Sequence, residues 1–141
     1  MEIWKQARSL AKSIYRISST GRFSKDFGLR DQIRRASVSV MSNIAEGFER
    51  GGNRELLQFL AIAKASCGEV RCQLYIAMDQ NYLENDQSEK LIDQHRKLSI
   101  MLYNFMEYLK TSKYKGQKYK PPKLDKEMLE FQALLKGYMK K

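Results

Sequence analysis

The chain has 141 residues, 43% of them hydrophobic and 30% charged, and a net charge of +10. That is one soluble globular domain, long enough to bury a core without disulfides or metals, and no run of about 18 apolar residues marks a membrane span. Met1-Glu2-Ile3-Trp4-Lys5 is amphipathic and lacks a signal-peptide core, so a cytoplasmic location is expected. The charge is unevenly placed: residues 1–109 hold 16 basic and 13 acidic residues, whereas residues 110–141 hold 10 lysines and 3 acids. Such asymmetry goes with contact to a polyanion, usually nucleic acid, or with a solubilising tail.

A first helix is predicted over residues 2–18. Ile3, Ala7, Leu10, Ile14 and Ile17 alternate spacings of four and three, which makes a heptad seam. Opposite it, Lys5, Arg8, Lys12 and Arg16 form a positive ridge with only Glu2 as an acid one turn away. Such a ridge either tracks phosphates or is a solvated helix face. Ser18-Ser19-Thr20-Gly21 ends the helix.

The second helix runs from 26 or 29 to 49 on Leu29, Ile33, Ala36, Val40, Ile44 and Phe48, with Asp26 and Asp31 favouring its N-terminal end. Arg30 and Arg35 have acids four residues earlier, Asp26 and Asp31, and are expected to form intrahelical pairs. Arg34 has no such acid. Gly51-Gly52 stops the helix, and Arg50 and Arg54 bracket this turn.

The third helix, 53–79, holds the seam Leu56, Leu60, Ala63, Cys67, Val70, Leu74 and Ala77, with Asn53 as expected N-cap. Ala61, Ala65, Gly68 and Cys72 make a second, small-residue stripe, which is either an oligomer surface or part of one wide core face. Cys67 belongs to the core. It points away from Cys72, no metal-ligand spacing surrounds either, and two free thiols suit a reducing compartment.

The fourth helix, 86–111, carries Leu91, His95, Leu98, Leu102, Phe105 and Leu109, and Asp86 with Glu89 resembles a capping box. Short connections near 18–25, 50–53 and 80–85 enforce antiparallel neighbours. The predicted fold class is therefore all-α: an antiparallel up-down-up-down four-helix bundle over residues 1–112. An extension, 113–141, follows. Lys113, Lys115, Lys118 and Lys120 alternate there with Tyr114 and Tyr119, a composition suited to phosphates and stacked bases. Asp125 starts a short fifth helix, 125–139, with Met128, Phe131 or Gln132, Leu135 and Tyr138 on one side, able to dock on the bundle or on a neighbouring subunit.

Chemistry is hard to assemble from these residues. A di-iron bundle needs Glu-x-x-His pairs, but the one histidine, His95, has Ile92 three positions before it. No nucleophile elbow or P-loop frame is present. Bundle ribonucleases place an arginine ahead of their histidine, yet Ser88, Glu89 and Lys90 occupy those positions. No catalytic residue, metal, cofactor, membrane or small-molecule substrate is expected.

The stretch Gln32-Ile33-Arg34-Arg35-Ala36-Ser37-Val38-Ser39-Val40-Met41-Ser42-Asn43-Ile44-Ala45-Glu46-Gly47 is more distinctive than any heptad. It closely resembles the signature of a bacterial four-helix-bundle family encoded by intervening sequences within large-subunit ribosomal RNA genes. The accessory variability determinants of diversity-generating retroelements belong to the same structural group. Arg50, residues 55–60, Ala65-Ser66 and Glu69-Val70 look like the family's third helix, and the resemblance covers about residues 1–115. Two departures stand out: Phe23 precedes Ser24 where the family has Phe-Pro, and the chain continues to Lys141.

The resemblance implies a ring, commonly a homopentamer, with a basic surface that meets nucleic acid and, in retroelement members, a reverse transcriptase. It carries over no catalytic residue. In the motif, Arg35, Asn43, Ile44, Ala45, Glu46 and Gly47 specify packing or a ligand site. Asn43 and Glu46, if buried, need partners, with Arg50 or Arg54 available to Glu46, and Gly47 permits close approach against Gly68 or Ala65. The expected function is a non-enzymatic oligomer binding nucleic acid through Lys5, Arg8, Lys12, Arg16, Arg34, Arg50, Arg54, Lys113, Lys115, Lys118 and Lys120. The alternative is a protein-interaction scaffold that binds no nucleic acid.

Overall fold

The computed structural model describes residues 1–114. Among them the chain forms α1 (Glu2–Ile17), a 3-10 turn (Phe23–Lys25), α2 (Phe27–Arg50), α3 (Asn53–Asp79) and α4 (Asn85–Tyr114). The extension from residue 115 on, with Lys115, Lys118, Lys120 and the expected helix 125–139, lies outside the described residues. Lys113 falls in the last turn of α4, and its side chain is also outside them.

Local chemistry sets the helix ends. The Ser18 hydroxyl donates to the Ile14 carbonyl at 2.7 Å and closes α1. The 3-10 turn follows, and Phe23 is fully buried there. Asp26 caps α2 by accepting the Leu29 amide at 3.1 Å. Gly51 ends α2 with φ of 81°, a left-handed conformation that costs glycine nothing. Two cap expectations are corrected. Gly52, extended at φ −111° and ψ 144°, occupies the N-cap of α3, so Asn53 is already helical. Helix α4 starts at Asn85, which places Asp86 inside the first turn and not at a capping box.

Consecutive helices pack as neighbours and α1 closes onto α4, which completes the up-down-up-down four-helix bundle. Every predicted seam residue is buried except Phe105, which is half-buried and stacks between Phe48 at 5.9 Å and Tyr108 at 6.5 Å. Each buried Leu, Ile or Phe contributes about 1.5–3 kcal/mol of transfer free energy. One cluster gathers Trp4, Leu10, Ile44, Leu60, Cys67 and Leu102, and the other gathers Ile14, Phe23, Ile33, Leu74 and Leu91. None of the described helices is long and apolar enough to cross a membrane.

Candidate nucleic-acid interface

Lys5, Arg8, Lys12 and Arg16 are all exposed on the face of α1 opposite its buried seam. Glu2, the acid nearest in sequence, accepts a hydrogen bond from Gln6 at 3.2 Å. Among the described residues no carboxylate forms an ion pair with Lys5, Lys12 or Arg16. The Arg8 guanidinium lies 5.6 Å from the ring centre of the buried Trp4, which holds that cation against the helix surface.

The arginines of α2 are placed differently. Arg34 donates from Nε to Ser18 Oγ at 2.8 Å and from Nη2 to Ser19 Oγ at 2.9 Å, and it covers the Tyr15 ring at 4.7 Å. It clamps the end of α1 to α2, so its lack of a sequence-adjacent acid did not leave it free. Arg30 pairs with Asp31 at 3.1 Å and donates to the Ser24 carbonyl at 3.0 Å. The expected Arg30–Asp26 pair does not form, because the Asp26 oxygens accept from the Leu29 amide and, at 2.9 Å, from the Tyr82 hydroxyl. Asp31 turns to Arg30, and Arg35 is exposed with no ion pair among the described residues. Arg50 pairs with Glu46 at 2.9 Å and lies 5.4 Å from the Phe59 ring centre, while Arg54 is exposed.

The Asn43–Gly47 stretch packs α2 onto α3. Asn43 Nδ2 donates to the Ser39 carbonyl at 2.8 Å and to Ser39 Oγ at 3.0 Å, and Ser39 Oγ meets Ser66 Oγ of α3 at 2.8 Å. Ile44 is fully buried and Ala45 packs against the same cluster. A Cβ on Gly47 would stand 2.9 Å from Leu56 Cδ1 and 3.0 Å from Phe59 Cβ. The close approach is therefore to Leu56 and Phe59, and not to Gly68 or Ala65, which lie toward the outside of α3.

His95 and Cys67 meet in the core without forming a nucleophile–base pair. The Cys67 thiol donates to the His95 backbone carbonyl at 3.0 Å, not to its ring. Burial pushes that thiol up to about 11. Burial also lowers the His95 pKa, opposed by the hydrogen bond to Leu91 and assisted by Arg71. The ring is thus neutral, and Nδ1–H donates to the Leu91 carbonyl at 2.7 Å. No group of three or more His, Cys, Asp or Glu among the described residues could hold a metal ion.

One basic groove is not apparent from the sequence. Between α3 and α4, Lys64, Arg71, Arg96, Ser99 and Tyr103 line an open groove that continues to Lys110. The Arg71 Nε is buried there with no hydrogen-bond partner among the described residues. Arg96 and Lys97 share Asp93, and Lys110 pairs with Glu107 at 3.1 Å. The available signal was the seven-residue spacing of Lys64 with Arg71 and of Arg96 with Tyr103. Ala61, Ala65 and Gly68 line this groove; Ala61, Ala65 and Cys72 are exposed and Gly68 is half-buried, so the small-residue stripe faces outward from the bundle.

A family described as 23S rRNA-intervening sequence protein has a model that matches residues 1–104. Among solved structures, the chain is similar to a protein with unknown function from the S23 ribosomal protein family of Bacteroides thetaiotaomicron VPI-5482. The TM-score is 0.67 at 20% identity, covering 74% of this chain and 97% of that one. At that identity the likeness is one of fold. No curated protein matches the chain.

Proposed function

The chain belongs to the 23S rRNA-intervening sequence protein family, and from that premise we propose a non-enzymatic, self-associating cytoplasmic bundle that binds nucleic acid along the outer face of α1. The observation that carries this reading is the exposure of Lys5, Lys12 and Arg16 without ion pairs among the described residues. From residue 5 to residue 16 the ridge is about 16 Å long, enough for roughly four or five phosphates of one duplex strand. Arg8 adds a fourth cation, and Arg50 and Arg54 add charge at the α2–α3 turn. Arg34 stands apart from this ridge, half-buried and with two of its five N–H groups donating to Ser18 and Ser19, so it adds less to the surface than the cations of α1. The lysines of the extension, Lys113, Lys115, Lys118 and Lys120, enlarge the same basic surface in sequence. The resemblance to retroelement accessory proteins supports a homopentameric ring and makes a reverse transcriptase the protein partner to test.

Fluorescence anisotropy with labelled single-stranded RNA and duplex DNA across a salt series tests the binding. Neutralising Lys5, Lys12 and Arg16 together as Gln weakens binding and flattens the plot of log affinity against log salt. The slope falls by about 0.7–0.9 for each phosphate that the variant no longer neutralises. Affinity and slope both unchanged would refute the proposal. A scaffold reading is favoured by the exposed Ile62, Tyr75, Ile76, Ile100 and Tyr103. It predicts a salt-insensitive complex with a protein and no measurable affinity for either nucleic acid.

A further inference from the structure

Between residues 61 and 76 the outer face of α3 carries one exposed charge, Glu69, and is otherwise apolar or small. Ala61, Ala65 and Cys72 lie there, with Ile62, Tyr75 and Ile76, on the side away from the buried Leu60, Ala63, Cys67 and Leu74. Ile62, Tyr75 and Ile76 keep 48%, 51% and 47% of their surface exposed. Ile100 and Tyr103 of α4 extend the patch across the groove, and Lys64, Arg71 and Arg96 make its basic edge. Exposed apolar side chains gathered beside charge mark a surface that something covers.

We propose that the chain's own segment 125–139 lies on this face as a fifth helix. The dimensions agree: the strip from 61 to 76 and a 15-residue helix are each about 22 Å long. The pattern agrees too, since Met128, Phe131, Leu135 and Tyr138 follow one another at three- and four-residue spacing and share a helix face. Charge is complementary, because Glu127 and Glu130 border that face on one side and meet an edge made by Lys64 and Arg71. Reach is ample. Lys110 of α4 lines the same groove as Ala61, and α4 is described as far as Tyr114, so the chain beyond it sets out beside one end of the strip. The ten residues 115–124 span up to about 33 Å.

The test needs no truncation and does not depend on the nucleic-acid reading. Cys72 sits in the middle of the strip and is exposed among residues 1–114, while Cys67 is buried. The rate of maleimide labelling at Cys72 is measured on the full chain and on the double variant Phe131→Asp/Leu135→Asp, at several protein concentrations. Both substitutions lie beyond the bundle, and circular dichroism checks that its helices persist. The proposal expects labelling at least tenfold slower in the parent than in the variant, at every concentration. Equal rates overturn it. Protection that survives the double substitution, or that grows with protein concentration, means that a second copy covers the face and overturns it as well.

Discussion

Gly47 shows how one missing atom sets the approach of two helices. Alanine normally stabilises a helix interior by about 1 kcal/mol over glycine, but a Cβ here meets Leu56 and Phe59 at 2.9 and 3.0 Å. Overpacking of this kind costs about 1–3 kcal/mol. Gly47→Ala is therefore expected to lower the urea midpoint, whereas Gly28→Ala, with nothing nearer than 3.9 Å, is expected to hold or raise it. His95 makes the second residue-scale prediction. Burial lowers its pKa in the folded chain, so below the ordinary value of 6.5 the unfolded state binds the extra proton. Stability is then intact above that value and falls as pH drops toward the folded pKa, by at most about 1.4 kcal/mol per pH unit. Urea unfolding at about pH 7.5 and 5.5 should show this loss, and His95→Leu should remove it. Cys67 and His95 were legible as core because they sit on heptad positions. The partners of Arg34 and Gly47 were not, because spacing along one helix does not tell how far its neighbour is rotated.

At the scale of the element, the four-three rhythm located all four helices, since any face repeating every three and a half residues must be buried against another. Helix ends were harder to read. Gly52 takes the N-cap of α3 through its extended backbone and not through a side chain, so Asn53 drew attention to a role that residue type alone suggested. Asp26 performed as a cap and also accepts the Tyr82 hydroxyl, joining the α1–α2 connection to the α3–α4 connection. Asp26→Ala is expected to lose about 1 kcal/mol in denaturant unfolding. Tyr82→Phe should lose less, and its effect should vanish in the Asp26→Ala background if the two groups act as one link. At Gly51, φ of 81° makes Gly51→Ala unfavourable by about 1 kcal/mol.

At the scale of the whole molecule, the two readings of the Ala61–Ala65–Gly68–Cys72 stripe could not be separated in sequence. A wide core face and an outward face have the same spacing, and only the position of α4 decides between them. The basic groove of Lys64, Arg71 and Arg96 was hidden for the same reason, since it draws its cations from two helices. The positive ridge of α1 was legible because it belongs to a single helix. A ring assembly makes its own prediction: light scattering on the full chain, 16.5 kDa per subunit, should give a mass near five subunits, and a monomer would exclude the homopentamer.

The ridge rides on the helix that the bundle holds most lightly, for α1 packs on α2 and only sparingly on α4, whereas α3 is gripped on both flanks. The first helix to fray should therefore be the one that carries Lys5, Lys12 and Arg16, whose mutual repulsion is relieved when it unravels. A polyanion laid along those cations removes that relief and acts as a splint. Cargo would then be felt as slower amide exchange in α1 while the α2–α3 hairpin exchanges as before. Free and occupied molecules would differ less in shape than in how often their opening helix lets go.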